Sequence, residues 1–379
     1  MTDVVVIGAG IVGAACADQL AAAGLSVTVL ERGAIASGTT GAGEGNVLIS
    51  DKEPGPELDL ALLSREMWAR LGDELPEAAA EPKGGIVVAL TEDEHAALLD
   101  FANRQQAAGV VTEPLTPEQA RQAEPYLTPS LAGAVRYPQD MQVQPARATA
   151  ALLGRARSRG ARLHTESPVT GFTRDAAGRI TSVHTPRASF PASTVVNAAG
   201  LDSAAVAAFA GSALPVQPRR GYILVTEPVP PLVRAKVYDA AYVSNVASGD
   251  EALQTSTVVE RTDGGTILIG ASRERVGLDA RLRIDVLARL ARQAVRLFPV
   301  LATVCAIRAY RGFRPYCPDH LPIISRDPLV PNLVHATGHE GAGIGLAPGT
   351  GYLVRCLVTG EPTPLDPAPF RLGRPGLAP

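Results

Sequence analysis

A glycine triplet near the N-terminus constrains this chain more than any other feature. Val4 to Ile7 is a short apolar run of the buried-strand type, Gly8 to Gly13 a turn, and Ala14 to Ala23 an alanine-rich helix closed by Gly24. Leu25 to Leu30 follows as a second strand, so the chain opens with a β-α-β unit. Gly8-Ala9-Gly10-Ile11-Val12-Gly13-Ala14 matches GxGxxGA. Gly8 permits the tight strand-to-helix turn, Gly10 lets a pyrophosphate approach the backbone, and Gly13 lets the helix pack closely on the strand. The helix N-terminus offers free N–H groups and the positive end of its dipole to phosphates. Glu31 ends the second strand, 18 residues beyond Gly13, where a carboxylate accepts hydrogen bonds from a ribose. A negative charge there repels a 2′-phosphate, which argues against NADP.

Composition excludes other classes. With 379 residues, 46% apolar and 19% charged, the chain is globular, and disorder, collagen and coiled coil are ruled out. Net charge is −3 and the basic residues are dispersed, so nucleic acid is not an expected partner. Lys52, Lys83 and Lys236 are the only lysines, which reads as the arginine bias of a GC-rich genome. The four cysteines, Cys16, Cys305, Cys317 and Cys356, show no CxxC spacing, so neither a metal site nor a disulfide framework is expected. No secretory signal and no apolar run near the roughly 20 residues of a membrane helix is present. The expected location is cytoplasmic.

Strands and helices alternate at both ends of the chain, while the middle is strand-rich with hairpin signals at Asp175-Ala-Ala-Gly178 and Thr262-Asp263-Gly264-Gly265. Thr91 with Glu94 forms a capping box, and Thr116-Pro117 and Gln144-Pro145 open further helices. Arg147, Arg155, Arg157 and Arg159 are expected on a solvated face of the last of these. The fold class is therefore α/β: a Rossmann-like nucleotide-binding domain interleaved with an α+β domain built on an antiparallel or mixed sheet.

The motif alone does not separate NAD from FAD. A plain NAD domain continues in regular βαβ units, whereas here the polar, glycine-rich stretch Ser37 to Asn46 follows, suited to an extended pyrophosphate and a flavin ring. With it come Val195-Val196-Asn197-Ala198-Ala199-Gly200, Gly312-Phe313-Arg314-Pro315, Pro318-Asp319 and Gly338-His339-Glu340-Gly341-Ala342-Gly343-Ile344-Gly345. In this order the residues resemble the D-amino-acid oxidase family of FAD-dependent oxidoreductases, which includes glycine and sarcosine oxidase. Gly43 to Lys52 and Ile269 to Glu274 look most like the flavin subunit of opine oxidase, hydrogen cyanide synthase and hydroxyproline dehydrogenase.

The resemblance implies a discontinuous FAD-binding domain at 1–80, 141–212 and 308–365, a substrate-binding domain at 81–140 and 213–307, and a tail at 366–379. It implies that Ile11 and Val12 lie under the pyrophosphate, Glu31 and Arg32 meet the adenosine ribose, Thr39 and Thr40 reach phosphate, and Val169 touches adenine. Ala199 and Gly200 join the cofactor set. Glu44, Gly45 and Asn46 run beside the flavin, and His339, Glu340, Gly341, Ala342, Gly343, Ile344 and Gly345 wrap its pyrimidine end. Gly312 stands where sarcosine oxidases carry the flavin-linking cysteine, so FAD is expected to be non-covalent.

An α-amino acid must be anchored by its carboxylate with Cα–H aimed at flavin N5, and a guanidinium matches a carboxylate bidentately. Arg314 matches the family's carboxylate arginine; Glu44 and His339 complete the catalytic candidates. Tyr222, Tyr242 and Tyr310 are pocket candidates for which core packing is the plainer role. The expected activity is FAD-dependent oxidation of a small amino or imino acid to the imine by hydride transfer. O2 or a partner electron-transfer subunit is the expected acceptor. The alternative is a non-catalytic FAD-binding scaffold subunit.

Overall fold

The computed structural model describes residues 2–246 and 248–377. Two eight-stranded sheets carry the fold. The first has the order Ile323–Arg326, Leu333–Thr337, Ser189–Asn197, Thr2–Ile7, Val27–Leu30, Arg162–His164. Its strands pair parallel except Ile323–Arg326, and the hairpin Gly171–Arg174/Ile180–His184 runs antiparallel from Ser189–Asn197. In the centre Val4 lies beside Val27 and Ile7 beside Leu30. Val4 and Val6 face the core shared with helix Ile11–Ala22, and Val5 and Ile7 face the opposite core, which is why the strand reads as an unbroken apolar run.

Helices Pro145–Ser158, Pro56–Glu74 and Gly343–Thr359 complete the first core. The glycine content of the last helix reflects close approach: a Cβ on Gly351 would lie 2.6 Å from the Ala15 carbonyl oxygen in helix Ile11–Ala22. The single tryptophan, Trp68, is fully buried and its Nε1–H donates to the carbonyls of Ile344 and Gly345 at 3.0 and 3.2 Å. These bonds hold the start of helix Gly343–Thr359 in place beside the site.

The second sheet has the order Ala306–Tyr316, Gln217–Thr226, Ile267–Arg273, Gln254–Arg261, Lys236–Asp239, Gly85–Ala89, Gly133–Tyr137, Glu113–Leu115. It is antiparallel apart from the pairing of Lys236–Asp239 with Gly85–Ala89. Helix Ile284–Leu297 packs on it through Val286, Leu287, Leu290, Ala294 and Leu297. No helix among the described residues is long and apolar enough to cross a membrane.

Two expectations change. The boundary placed at 307/308 falls inside strand Ala306–Tyr316, which pairs with Gln217–Thr226 from Gln217↔Tyr316 to Thr226↔Ala306, so Arg314 stands on the second sheet. Arg155 is not solvated, because its guanidinium forks onto the buried carboxylate of Asp18 at 2.8 and 2.7 Å, tying helix Pro145–Ser158 to helix Ile11–Ala22. The tail has little regular structure, yet Phe370 is buried and Arg374 forks onto Asp319 at 2.7 and 2.9 Å. Its last two residues lie outside the described residues. Strand Leu333–Thr337 and helix Ala240–Val246, too short to show a period, escape the sequence reading.

Candidate functional site

One continuous cleft runs from the Gly8–Gly13 turn to the second sheet. All the cofactor-binding and catalytic candidates named above line it except Gly13 and Gly345. Those two glycines work behind the wall. A Cβ on Gly13 would sit 2.0 Å from the Gly8 carbonyl oxygen, and one on Gly345 3.3 Å from that of Asn46.

At the turn end the wall is mostly backbone. The first helical bond runs from Ala14 N–H to the Gly10 carbonyl at 2.9 Å, which leaves earlier N–H groups of the helix without a helical acceptor. Ile11 N–H donates instead to Thr40 Oγ1 at 3.1 Å, and Thr39 Oγ1 donates to the Phe313 carbonyl at 2.7 Å. Thr39 thereby ties the loop to the second sheet. Glu31 is buried and accepts from the backbone N–H groups of Ala9 and Gly33, each at 2.8 Å. These bonds fix its carboxylate while leaving lone pairs toward the cleft. Arg32 reaches across the mouth to Asp202 at 2.6 Å, an exposed pair of little energetic weight.

At the far end the wall is made of side chains. Arg314 lies across strand Gln217–Thr226 and donates from Nη1 to the Ser272 carbonyl at 2.9 Å. Gly221 makes room, since a Cβ there would stand 2.4 Å from Nη1, and a Cβ on Gly341 would stand 3.4 Å from Nε on the other side. Among the described residues no carboxylate pairs with Arg314. Its pKa is lowered by desolvation and by the positive charge of Arg273. Glu44 is buried; its Oε2 accepts from Asn46 Nδ2 at 3.2 Å, and its Oε1 has no partner.

The three lysines are all paired with carboxylates, Lys52 and Lys236 buried and Lys83 half-buried, which compositional bias does not explain. Lys52 lies 2.8 Å from Asp51 and 3.4 Å from Glu57 in the cleft wall. Lys236 lies 2.9 Å from Glu260 and also donates to Asn46 Oδ1, the residue that holds Glu44. Burial pulls the pKa of each lysine down, but the carboxylates outweigh it and both stay charged. Lys83 pairs with Glu81 at 3.2 Å and bonds Gln142 beneath the same network.

His339 lines the cleft with Nε2 2.9 Å from Thr350 Oγ1, and burial lowers its pKa to about 3, so it is neutral at ordinary pH. Glu340 bridges Arg219 at 2.6 Å and His320 Nδ1 at 3.0 Å. His320 also lines the cleft. Of the three tyrosines only Tyr242 lines it. Tyr222 is fully buried and donates to the Arg281 carbonyl at 2.6 Å. Tyr242 and Glu57 are among the lining residues that no motif marks, and Arg273 lies in the Ile269 to Glu274 stretch without a role assigned to it. No group of metal-ligating side chains able to hold an ion occurs among the described residues.

The donor set fits FAD. Helix N–H groups and hydroxyls at the turn suit a pyrophosphate, Glu31 suits a ribose diol, and the orphaned Glu44 Oε1 awaits a donor where the cleft meets the second sheet.

The chain matches the FAD dependent oxidoreductase (DAO) family over residues 3–357. It is 31% identical over 381 residues to glycine oxidase of Geobacillus kaustophilus, across 98% of this chain and 97% of that one. It is 31% identical to hydrogen cyanide synthase subunit HcnC of Pseudomonas aeruginosa, across 98% and 96%. The crystal structure of the Geobacillus kaustophilus glycine oxidase superposes with a TM-score of 0.88, at 30% identity over 98% of both chains. That of L-proline dehydrogenase from P. horikoshii superposes with a TM-score of 0.89, at 25% identity over 98% and 96%.

Proposed function

This chain belongs to the DAO family of FAD-dependent oxidoreductases, and from that premise we propose that it oxidises the Cα–N bond of a small amino or imino acid to the imine. The observation that carries the reading is Arg314, a guanidinium facing the cleft without a carboxylate partner, with the unpartnered Glu44 Oε1 in the same cleft. A fork for a carboxylate and an acceptor for an amine are what an amino acid requires. FAD, held by the turn end of the cleft, would supply the acceptor for the hydride that leaves Cα, while the amine gives up a proton.

The chain's own residues position rather than react. Arg314 holds the carboxylate, and the glycines on either side of it fix the plane of its fork. Glu44 holds the amine, itself oriented by Asn46 and, through Asn46, by Lys236. His339 serves as a fixed neutral wall, since its low pKa withholds a proton at neutral pH. FAD is held non-covalently: Gly312 offers no nucleophile, and Cys317 is buried beneath Gly338, outside the cleft lining. Free thiols at Cys16, Cys305, Cys317 and Cys356 support a reducing compartment, the cytoplasm.

The test is anaerobic bleaching of the purified yellow protein by glycine, sarcosine, the prolines, hydroxyprolines and D-amino acids. Bleaching by an amino or imino acid supports the reading; a flavin that no amine reduces leaves the scaffold alternative. Admitting air then separates acceptors: peroxide marks O2 as acceptor, and persistent bleaching marks a partner electron-transfer subunit. Acid precipitation should leave flavin in the supernatant, and a fluorescent pellet would refute non-covalent binding.

A further inference from the structure

We propose that the substrate carries a second acidic group and that Arg273 binds it, an inference that rests on the amino-acid reading above. Arg273 ends strand Ile267–Arg273, is 5% exposed and lines the cleft. Its Nη1 has no hydrogen-bond partner, and among the described residues its guanidinium makes no ion pair. Its guanidinium stacks on the face of Tyr242, 4.7 Å from the ring centroid. Stacking orients a guanidinium and leaves its N–H edge free for an anion.

The other cations near this end are neutralised. Lys52 has Asp51 and Glu57, Lys236 has Glu260, and Arg219 has Glu340. Arg220 has Glu274 at 2.8 Å and Asp279 at 3.0 Å. Among the described residues Arg273 and Arg314 make no ion pair, although the charges of Glu340 and Glu44 reach them from a distance, and they lie close enough that the charge of Arg273 depresses the pKa of Arg314 after desolvation. Placing two unpaired guanidinium groups side by side in a largely buried wall is costly unless an anion arrives for each.

A glycine- or proline-like substrate brings one carboxylate, which Arg314 takes, and leaves Arg273 unmatched. An amino or imino diacid brings two carboxylates and an amine, matching Arg314, Arg273 and Glu44 one for one. A phosphate monoester bridging both arginines brings at most a neutral hydroxyl to the Glu44 carboxylate, whereas an amino diacid brings an ammonium and a charge-assisted bond, so the observations favour the diacid.

The experiment uses the FAD-loaded full chain and matched pairs: sarcosine with iminodiacetate, and alanine with aspartate in both configurations. In each reactive pair kcat/KM for the diacid should exceed that for the monoacid by ~10-fold or more, and Arg273→Gln should shrink that ratio to near unity. Arg273→Lys should restore part of it. A wild type that favours the monoacid overturns the proposal. So does an Arg273→Gln variant that lowers both members of a pair equally, because that marks a structural role.

If monoacids bleach the flavin and diacids do no better, this inference fails and the amino-acid reading stands. If glycerol 3-phosphate bleaches it and no amine does, both fail. Where no compound bleaches it, malonate and acetate binding is read from the flavin absorption band. Malonate binding ~10-fold tighter in wild type and no tighter in Arg273→Gln supports the second anion site, and equal binding overturns it.

Discussion

The two ends of the cleft recognise by different means. The turn end presents N–H groups of helix Ile11–Ala22, the Thr40 hydroxyl and one carboxylate clamped by two backbone N–H groups. The substrate end presents Arg314, Arg273, Tyr242 and Glu44 from two strands, a short helix and a loop. Backbone is the same in every sequence, so the turn end suits any ligand with a pyrophosphate and a ribose. Side chains are free to change, so the far end decides which acid is accepted.

The sharpest way to break the turn end is Gly13→Val. Its Cβ would lie 2.0 Å from the Gly8 carbonyl oxygen, with backbone and not a flexible side chain in the way. We expect a loss above ~4 kcal/mol, seen as little folded protein and no bound flavin. A variant that melts normally and stays yellow would show that the close approach is not needed.

The far end should break without unfolding. Arg314→Ala should keep flavin bound and lose about 2–5 kcal/mol in kcat/KM, measured by stopped-flow flavin reduction. Arg314→Lys should recover only part, because an ammonium cannot form the planar fork. If the alanine variant is colourless, Arg314 braces the fold across Gly221 instead.

These two ends were unequally legible. The turn end was readable because close backbone approach demands glycine at fixed spacing, and Gly8, Gly10 and Gly13 obey it within one local unit. The far end assembles residues from Glu44 to Arg314, and no local pattern announces which side chains meet. Arg273 carried no motif role of its own, and Tyr242 sits on a helix of seven residues, too short to show a period. Two signals existed. Gly221 interrupts an otherwise strand-like run, and glycine inside a strand marks the approach of another group, here Arg314. Lysine survives at three positions in an arginine-rich chain, and each is paired with a carboxylate, two of the three lysines being buried.

Glu31 sharpens the comparison, because it is a side chain at the backbone end. Glu31→Gln keeps one acceptor oxygen for two N–H groups, Ala9 and Gly33, and removes the charge. Loss of a charge-assisted bond should weaken FAD by roughly 1.5–3 kcal/mol. FAD titration and melting of the apoprotein separate two roles. If the melt falls and FAD affinity does not, Glu31 braces the turn rather than holding the ribose.

The smallest effect concerns His339, which stands in the cleft wall yet faces Thr350. Burial lowers its pKa to about 3, against about 6.5 in the unfolded chain. The folded state therefore binds fewer protons than the unfolded state between these values, and stability rises with pH there. The contribution is fully present above pH ~6.5 and is lost as pH falls toward the folded pKa, by about 2 kcal/mol at pH ~5. His339→Gln keeps a hydrogen bond to Thr350 and removes the titration. Its stability, measured by urea unfolding from pH 7 to 5, should fall less steeply than that of the wild type. Parallel curves would mean that other groups set the acid limb and that His339 is protonated without cost. A flatter curve with unchanged flavin reduction at pH 7 would place His339 in the wall of the cleft and outside the proton chemistry.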